Sequence, residues 1–203
     1  MTTQSMTHPA LYGLSLVAIL AVGGAQAAQP AQPSFSIDVV ADCNRYIEDT
    51  SQPTMGATFI QEGIIYRPGT LAANCPSGNG CGLNPDGTPQ FPDAVIGKWR
   101  CWGSFTGVGT AAAAAAGPPS YSTQVYEFTA AAVGGEPGEH ALVSHGPEWV
   151  NLDVPFERAI VGGYGRFKNA DGEVAQTRVG FNQTQCENYT FDFKLRTQTR
   201  SWR

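Results

Sequence analysis

Charge is what this sequence has least of: only 14% of its 203 residues are Asp, Glu, Lys or Arg, against about 25% in an ordinary soluble domain. Twelve Lys and Arg set against 17 Asp and Glu leave a net charge of −5. That balance excludes the basic face a general nucleic-acid binder needs. No apolar run is long enough to span a bilayer as a helix, so no stable membrane span is expected. There is no C-x-x-C pair, and the 3 His are not at ligand spacing, so no metal is expected. G-x-S-x-G, H-E-x-x-H and a phosphate-loop G-K-[ST] are all missing, and no catalytic triad assembles from motifs. Nowhere does an i, i+3, i+4, i+7 apolar stripe persist, which excludes a helical bundle.

What is present begins with an address. Residues 11–22 (LYGLSLVAILAV) form a short apolar run, followed by GGAQAA with small residues at Ala25 and Ala27. That pattern predicts a signal peptide over 1–27, although Met1 to Ala10 carries no Lys or Arg. A Pro/Gln/Ala linker over 28–34 would follow, then a single domain over 35–203. The expected destination is secreted or periplasmic.

Export changes how the cysteines read. Cys43, Cys75, Cys81, Cys101 and Cys186 suit two disulfides and one leftover thiol in an oxidising compartment. Several pairings are formally open. Cys75 and Cys81 bracket the flexible PSGNG and favour a local bridge; Cys43 with Cys186 would staple the two ends of the domain, leaving Cys101 over. Two N-x-[ST] sequons, at Asn182 and Asn188, matter only if the host glycosylates.

Glycine and proline together number 38 (24 and 14), punctuating the chain into short elements. FSIDVV (35–40), ATFIQEGIIY (57–66) and AVIGKWRCWGSFT (94–106) read as three strands, with a polar stretch between the first two. Residues 67–93 read as a long Gly/Pro/Asn-rich loop, of a kind usually functional or disordered. The alanine-rich 107–119 reads as a surface loop, its run too short to hold a helix. STQVYEFTAAA, EHALVSHGPEW, FERAIVGGYGRF, GEVAQTRVGF and NYTFDFKL then follow at strand length, with period-2 alternation clearest at Tyr189, Phe191 and Phe193. Strands at even spacing with no crossover helices predict an all-β fold: an antiparallel closed β-barrel of about eight strands with long loops.

Residues 138–179 carry a resemblance. Gly146-Pro147, then AIVGGYGRF over 159–167, then Asp171-Gly172-Glu173-Val174 follow one another as strand, Gly-Pro turn, strand, G-G-x-G-x-F and G-x-V. In this the chain resembles the allene oxide cyclase-like barrels, structurally close to plant dirigent proteins. The glycines permit a tight bend where the strand meets its turn, after which Phe167 plugs the barrel end. The resemblance implies a cavity for a small apolar or aromatic molecule, with or without steering of its cyclisation. It also implies self-association as a homodimer or homotrimer. An enzyme of this kind would be a cyclase or isomerase using neither metal nor organic cofactor. The alternative is a non-catalytic exported scaffold whose loops meet another macromolecule.

From the residues themselves, alternation makes Asp38, Glu62, Arg100, Glu127, His145 and Arg178 candidates for the interior, although polar strand residues more often face solvent. Glu62 and Glu127 are the candidate catalytic carboxylates, as acid–base partners shifted by burial. Trp99, Tyr126, Arg100 and Arg178 are the candidate ligand contacts, with Trp102 and Trp149 further candidates for core or cavity wall. His140 and His145, five apart on one strand, face opposite sides and form no joint site.

Overall fold

The computed structural model describes residues 34–48, 55–106, 120–129, 138–148 and 153–196. The expected signal peptide, residues 28–33 of the linker, the alanine-rich 107–119 and Trp149 lie outside them. Eight strands close into one barrel: β1 (Ser34–Glu48), β2 (Thr58–Tyr66), β3 (Val95–Phe105), β4 (Ser120–Phe128), β5 (His140–Glu148), β6 (Phe156–Tyr164), β7 (Gly172–Phe181) and β8 (Glu187–Leu195). Each strand pairs antiparallel with the next, and β8 returns to β1 through pairs such as Ile37 with Phe191. Closure leaves no unpaired sheet edge. The expected all-β barrel is the observed one.

β1 runs well past 35–40, into a stretch whose polar residues read as loop. A bulge between Asp42 and Tyr46 absorbs the irregularity and lets Tyr46, Ile47 and Glu48 resume pairing with Gln61, Ile60 and Phe59. Residues 67–94 form a packed layer rather than a structureless loop. A short helix, α1 (Thr70–Asn74), and the Cys75–Cys81 disulfide lie in it. Leu71, Cys75 and Leu83 bury against Val40 and Tyr66 on the outer face of β1 and β2. Asp38 belongs to this outer layer, where its carboxylate accepts the Leu71 N–H at 2.7 Å. Burial pushes its pKa up, against hydrogen bonds from Leu71, Gly69 and Thr70 that lower it.

Side chains alternate strictly enough to give the barrel two unlike halves. Where β1 and the even strands meet the β6–β7 connection, Phe35, Phe128, Phe167 and Phe193 fill the interior. Phe35 stacks on Phe193 at 4.7 Å between ring centroids, and Phe167 lies 5.3 Å from Phe128. Each such ring contributes about 1.5–3 kcal/mol by leaving water. Gly165 makes this plug possible: its φ is +62°, and a Cβ there would sit 2.0 Å from the Glu139 carbonyl oxygen. The opposite half is lined by polar side chains.

Both sequons are structural. Asn182 Nδ2 donates to the Ala41 carbonyl at 2.7 Å, and Asn188 Nδ2 to that of Cys81 at 2.9 Å. Neither side chain has room for a glycan in the folded barrel, since Asn182 is 2% exposed and Asn188 is 0% exposed.

Candidate functional site

The polar half is built from the C-terminal ends of β1, β3, β5 and β7 and the N-terminal ends of β2, β4, β6 and β8. Its centre is an ion pair, Arg158 to Glu148, with 3.0 Å between Nη1 and Oε1. Arg158 is 1% exposed although charged, and every nitrogen of its fork donates: Nε to Ser144 Oγ, Nη2 to the Ser122 carbonyl and hydroxyl, Nη1 also to the Pro147 carbonyl. Glu148 accepts from Ser122 Oγ, from Gln124 Nε2 at 2.6 Å and from Gln176 Nε2 at 3.1 Å. The Cys101 thiol lies 3.7 Å from Glu148 Oε1, and burial pushes that thiol well above its ordinary pKa. It is the one free cysteine among the described residues, and it is buried.

Beneath this network sit Trp99 and Tyr126. Gln124 Oε1 accepts both the indole N–H, at 3.2 Å, and the Tyr126 hydroxyl, at 2.6 Å. Towards the rim the lining divides. On one side Tyr46, Phe59 and Phe105 form an aromatic arc, with centroids 6.3 and 5.2 Å apart. On the other, Glu187 lies opposite Phe181, and Arg178 opposite Tyr189. Burial raises the Glu187 pKa, its own backbone N–H and nearby Arg178 pulling the other way. Three buried polar atoms among the described residues have no partner: Arg178 Nε and Glu48 Oε1 here, and His140 Nε2 at the plug end. Such orphans are rare in folded proteins and mark places where another molecule can supply the missing bond.

The Cys43–Cys186 disulfide ties β1 to the β7–β8 turn at this half, with 5.2 Å between the Cα atoms. Gln61 Nε2 points at its Cys186 sulfur at 2.9 Å.

No family model and no curated protein sequence matches the chain. Solved structures do. One pterocarpan synthase dirigent protein superposes with a TM-score of 0.51 at 15% identity, over 92% of this chain and 98% of its own. A second gives 0.51 at 12% identity, over 82% and 96%. This is a dirigent-like barrel. Pyocyanin demethylase also matches, with a TM-score of 0.49 at 17% identity, over 81% of this chain and 100% of its own.

Within the dirigent-like barrel the sequence-derived candidates separate. Trp99, Tyr126 and Arg178 face the interior. Glu62, Arg100 and Glu127 do not: their strand neighbours Gln61, Cys101, Tyr126 and Phe128 occupy the inner face, so these three point outward. There they form a surface ladder, Arg100 bonding Glu62 at 3.0 Å and Glu127 at 2.6 Å, with Arg45 on Glu62 at 3.1 Å. The Arg100 hydrogen bond holds the Glu62 carboxyl below its usual pKa, the reverse of a proton donor. His145 is also outward, beside Thr123 at 3.1 Å, and Trp102 is 44% exposed. His140 turns inward on the same strand as His145, its Nδ1 accepting the Arg166 N–H at 2.9 Å. A groove of about 240 Å³ beside the ladder is lined by Asp42, Arg45, Glu62 and Lys98, all on the outer surface. Among the described residues no cluster of His, Cys, Asp and Glu is arranged to hold a metal ion, and no helix is long and apolar enough to cross a membrane.

Glu148, Arg158, Gln124, Gln176 and Glu187 escaped the sequence reading, though a signal for them exists. Phe156 and Ile160 fix the inner phase of β6 with Arg158 between them, and Glu187 is two residues before Tyr189, in phase with Phe191 and Phe193.

The raised Glu187 pKa carries a sign. A carboxyl that holds its proton longer in the native state makes stability fall as pH rises from the ordinary glutamate value towards its own. Glu187→Gln should flatten that decline, leaving the same-sign part due to Asp38. Urea midpoints measured across pH 4–8 check this; an unchanged slope would count against a protonated Glu187.

Proposed function

We propose that the chain is an exported barrel that binds a small aromatic molecule in its polar half. The observation that carries this reading is the division of the interior. One half is sealed by stacked phenylalanines, while the other combines an aromatic arc with an unpartnered donor and an unpartnered acceptor. Apolar walls with a few convergent polar groups are the usual make-up of a small-molecule site. The 11–27 segment and the two disulfides support an oxidising, extracytoplasmic destination.

Steering of the ligand's cyclisation is the finer form of this reading. Glu187 supports it, because burial pushes its pKa up, which favours the protonated form that can lend a proton to an oxygen on a bound ring. The non-catalytic scaffold is the second reading, and the outer face supports it. Ile47, Ile60 and Trp102 lie in one cross-strand row, 70%, 54% and 44% exposed.

Native mass spectrometry of protein from its own host, beside a denatured run, tests the choice. Loss of an aromatic molecule of a few hundred daltons on denaturation is the expected result. A bare mass, together with no saturable tryptophan quenching across a panel of aromatic ligands, would overturn binding and favour the scaffold. The same spectra report the oligomer and the free-thiol count.

A further inference from the structure

We propose that the occupant of the polar half is an aromatic anion, a carboxylate or phenolate, whose negative group pairs with Arg178. This rests on the binding reading above and specifies its ligand. Of the two interior arginines, Arg158 is saturated by Glu148 and five further acceptors. Arg178 is the opposite case. Among the described residues it forms no ion pair, and its Nε–H is buried without an acceptor.

The backbone places it there deliberately. β7 pairs Arg178 with Tyr189 and then Gly180 with Asn188, the extra residue Val179 forming a bulge. That bulge brings Phe181 opposite Glu187, so that Arg178 and Phe181 share the inner side. Gly180 is required: its φ is +152°, and a Cβ would lie 1.9 Å from the Gly78 carbonyl oxygen. The Arg178 guanidinium carbon then sits 5.2 Å from the centroid of Phe181, whose ring face fixes the orientation of the fork. A cation held by a ring face still lacks a direct ion-pair partner, and a half-buried cation without one is costly.

Glu187 is the carboxyl that feels Arg178, which pulls its pKa down, and Glu48 keeps an unpartnered oxygen in the same half. Yet no ion pair within 4 Å joins Arg178 to either of them, and Glu148 is occupied by Arg158. The vacant partner is therefore an anion from outside the chain. The stem of the ligand is aromatic because the walls it must pass are Phe181 and Tyr189 on this side and the Tyr46–Phe59–Phe105 arc on the other.

The test uses matched pairs on the intact protein: benzoate, cinnamate and 2-naphthoate against their methyl esters, titrated by calorimetry and tryptophan fluorescence. At least one carboxylate is expected to bind about tenfold or more tightly than its ester, which is 1.4 kcal/mol. Arg178→Gln should abolish that preference, the acid then binding no more tightly than its ester. Esters binding as tightly as the acids would overturn the anion proposal while leaving aromatic binding intact. A preference that survives in Arg178→Gln would overturn it too, by showing the anion held elsewhere. Failure of every pair to bind would remove both the anion proposal and the reading beneath it.

Discussion

Arg158→Ala is expected to cost about 3–5 kcal/mol of stability, because it strips the partner from a largely buried carboxylate. The Glu148 side chain is 15% exposed and that of Arg158 is 0% exposed, so little water is at hand to compensate. Serine and backbone acceptors on Ser122, Ser144 and Pro147 would lose their donor in the same step. Adding Glu148→Gln to Arg158→Ala should recover part of the loss, since the unpaired charge is then gone while Gln124 and Gln176 keep a neighbour. Chemical denaturation of the two single variants and the double variant measures the coupling. Strict additivity would show that the pair does not act as a unit.

The second large effect comes from the long staple. Cys43 and Cys186 are 143 residues apart, and Cys75 and Cys81 only 6. If the bridges act by restricting the unfolded chain, the first contributes about 5 kcal/mol and the second about 2 kcal/mol. Cys43→Ser with Cys186→Ser should therefore lower the denaturation midpoint far more than Cys75→Ser with Cys81→Ser. Equal losses would mean that local contacts, not chain entropy, set the contribution. Selective alkylation under native conditions gives a companion readout: Cys101, 2% exposed, should react only when the barrel opens.

Much of the fold is legible in the chain because a barrel strand advertises its inner face. Tyr189, Phe191 and Phe193 mark β8, and Trp99 with Cys101 marks β3, so strand number and class follow from alternation and turn chemistry. The polar interior was harder to read for a physical reason. Alternation tells which residues share a face but not which face is inside, and a charged residue between two aromatics reads as outward by default. Glu62, Arg100 and Glu127 obey that default, each flanked by inward residues. Arg158 and Glu148 do not, and what allows it is a partner on the next strand, which a single segment cannot show. The outer layer over 67–94 was illegible for a similar reason. Its few apolar residues, Leu71 and Leu83 among them, have no periodicity of their own and are ordered by the sheet they cover.

The strand order has a consequence for how such a barrel changes over time. Every odd strand runs from the phenylalanine plug towards the polar half, so the ends of β1, β3, β5 and β7 and the starts of β2, β4, β6 and β8 meet at that same half. Substitutions at those strand ends change the lining of the polar half, whereas the stacked phenylalanines lie at the opposite one. Adaptation and stability are thereby assigned to separate poles of one small molecule.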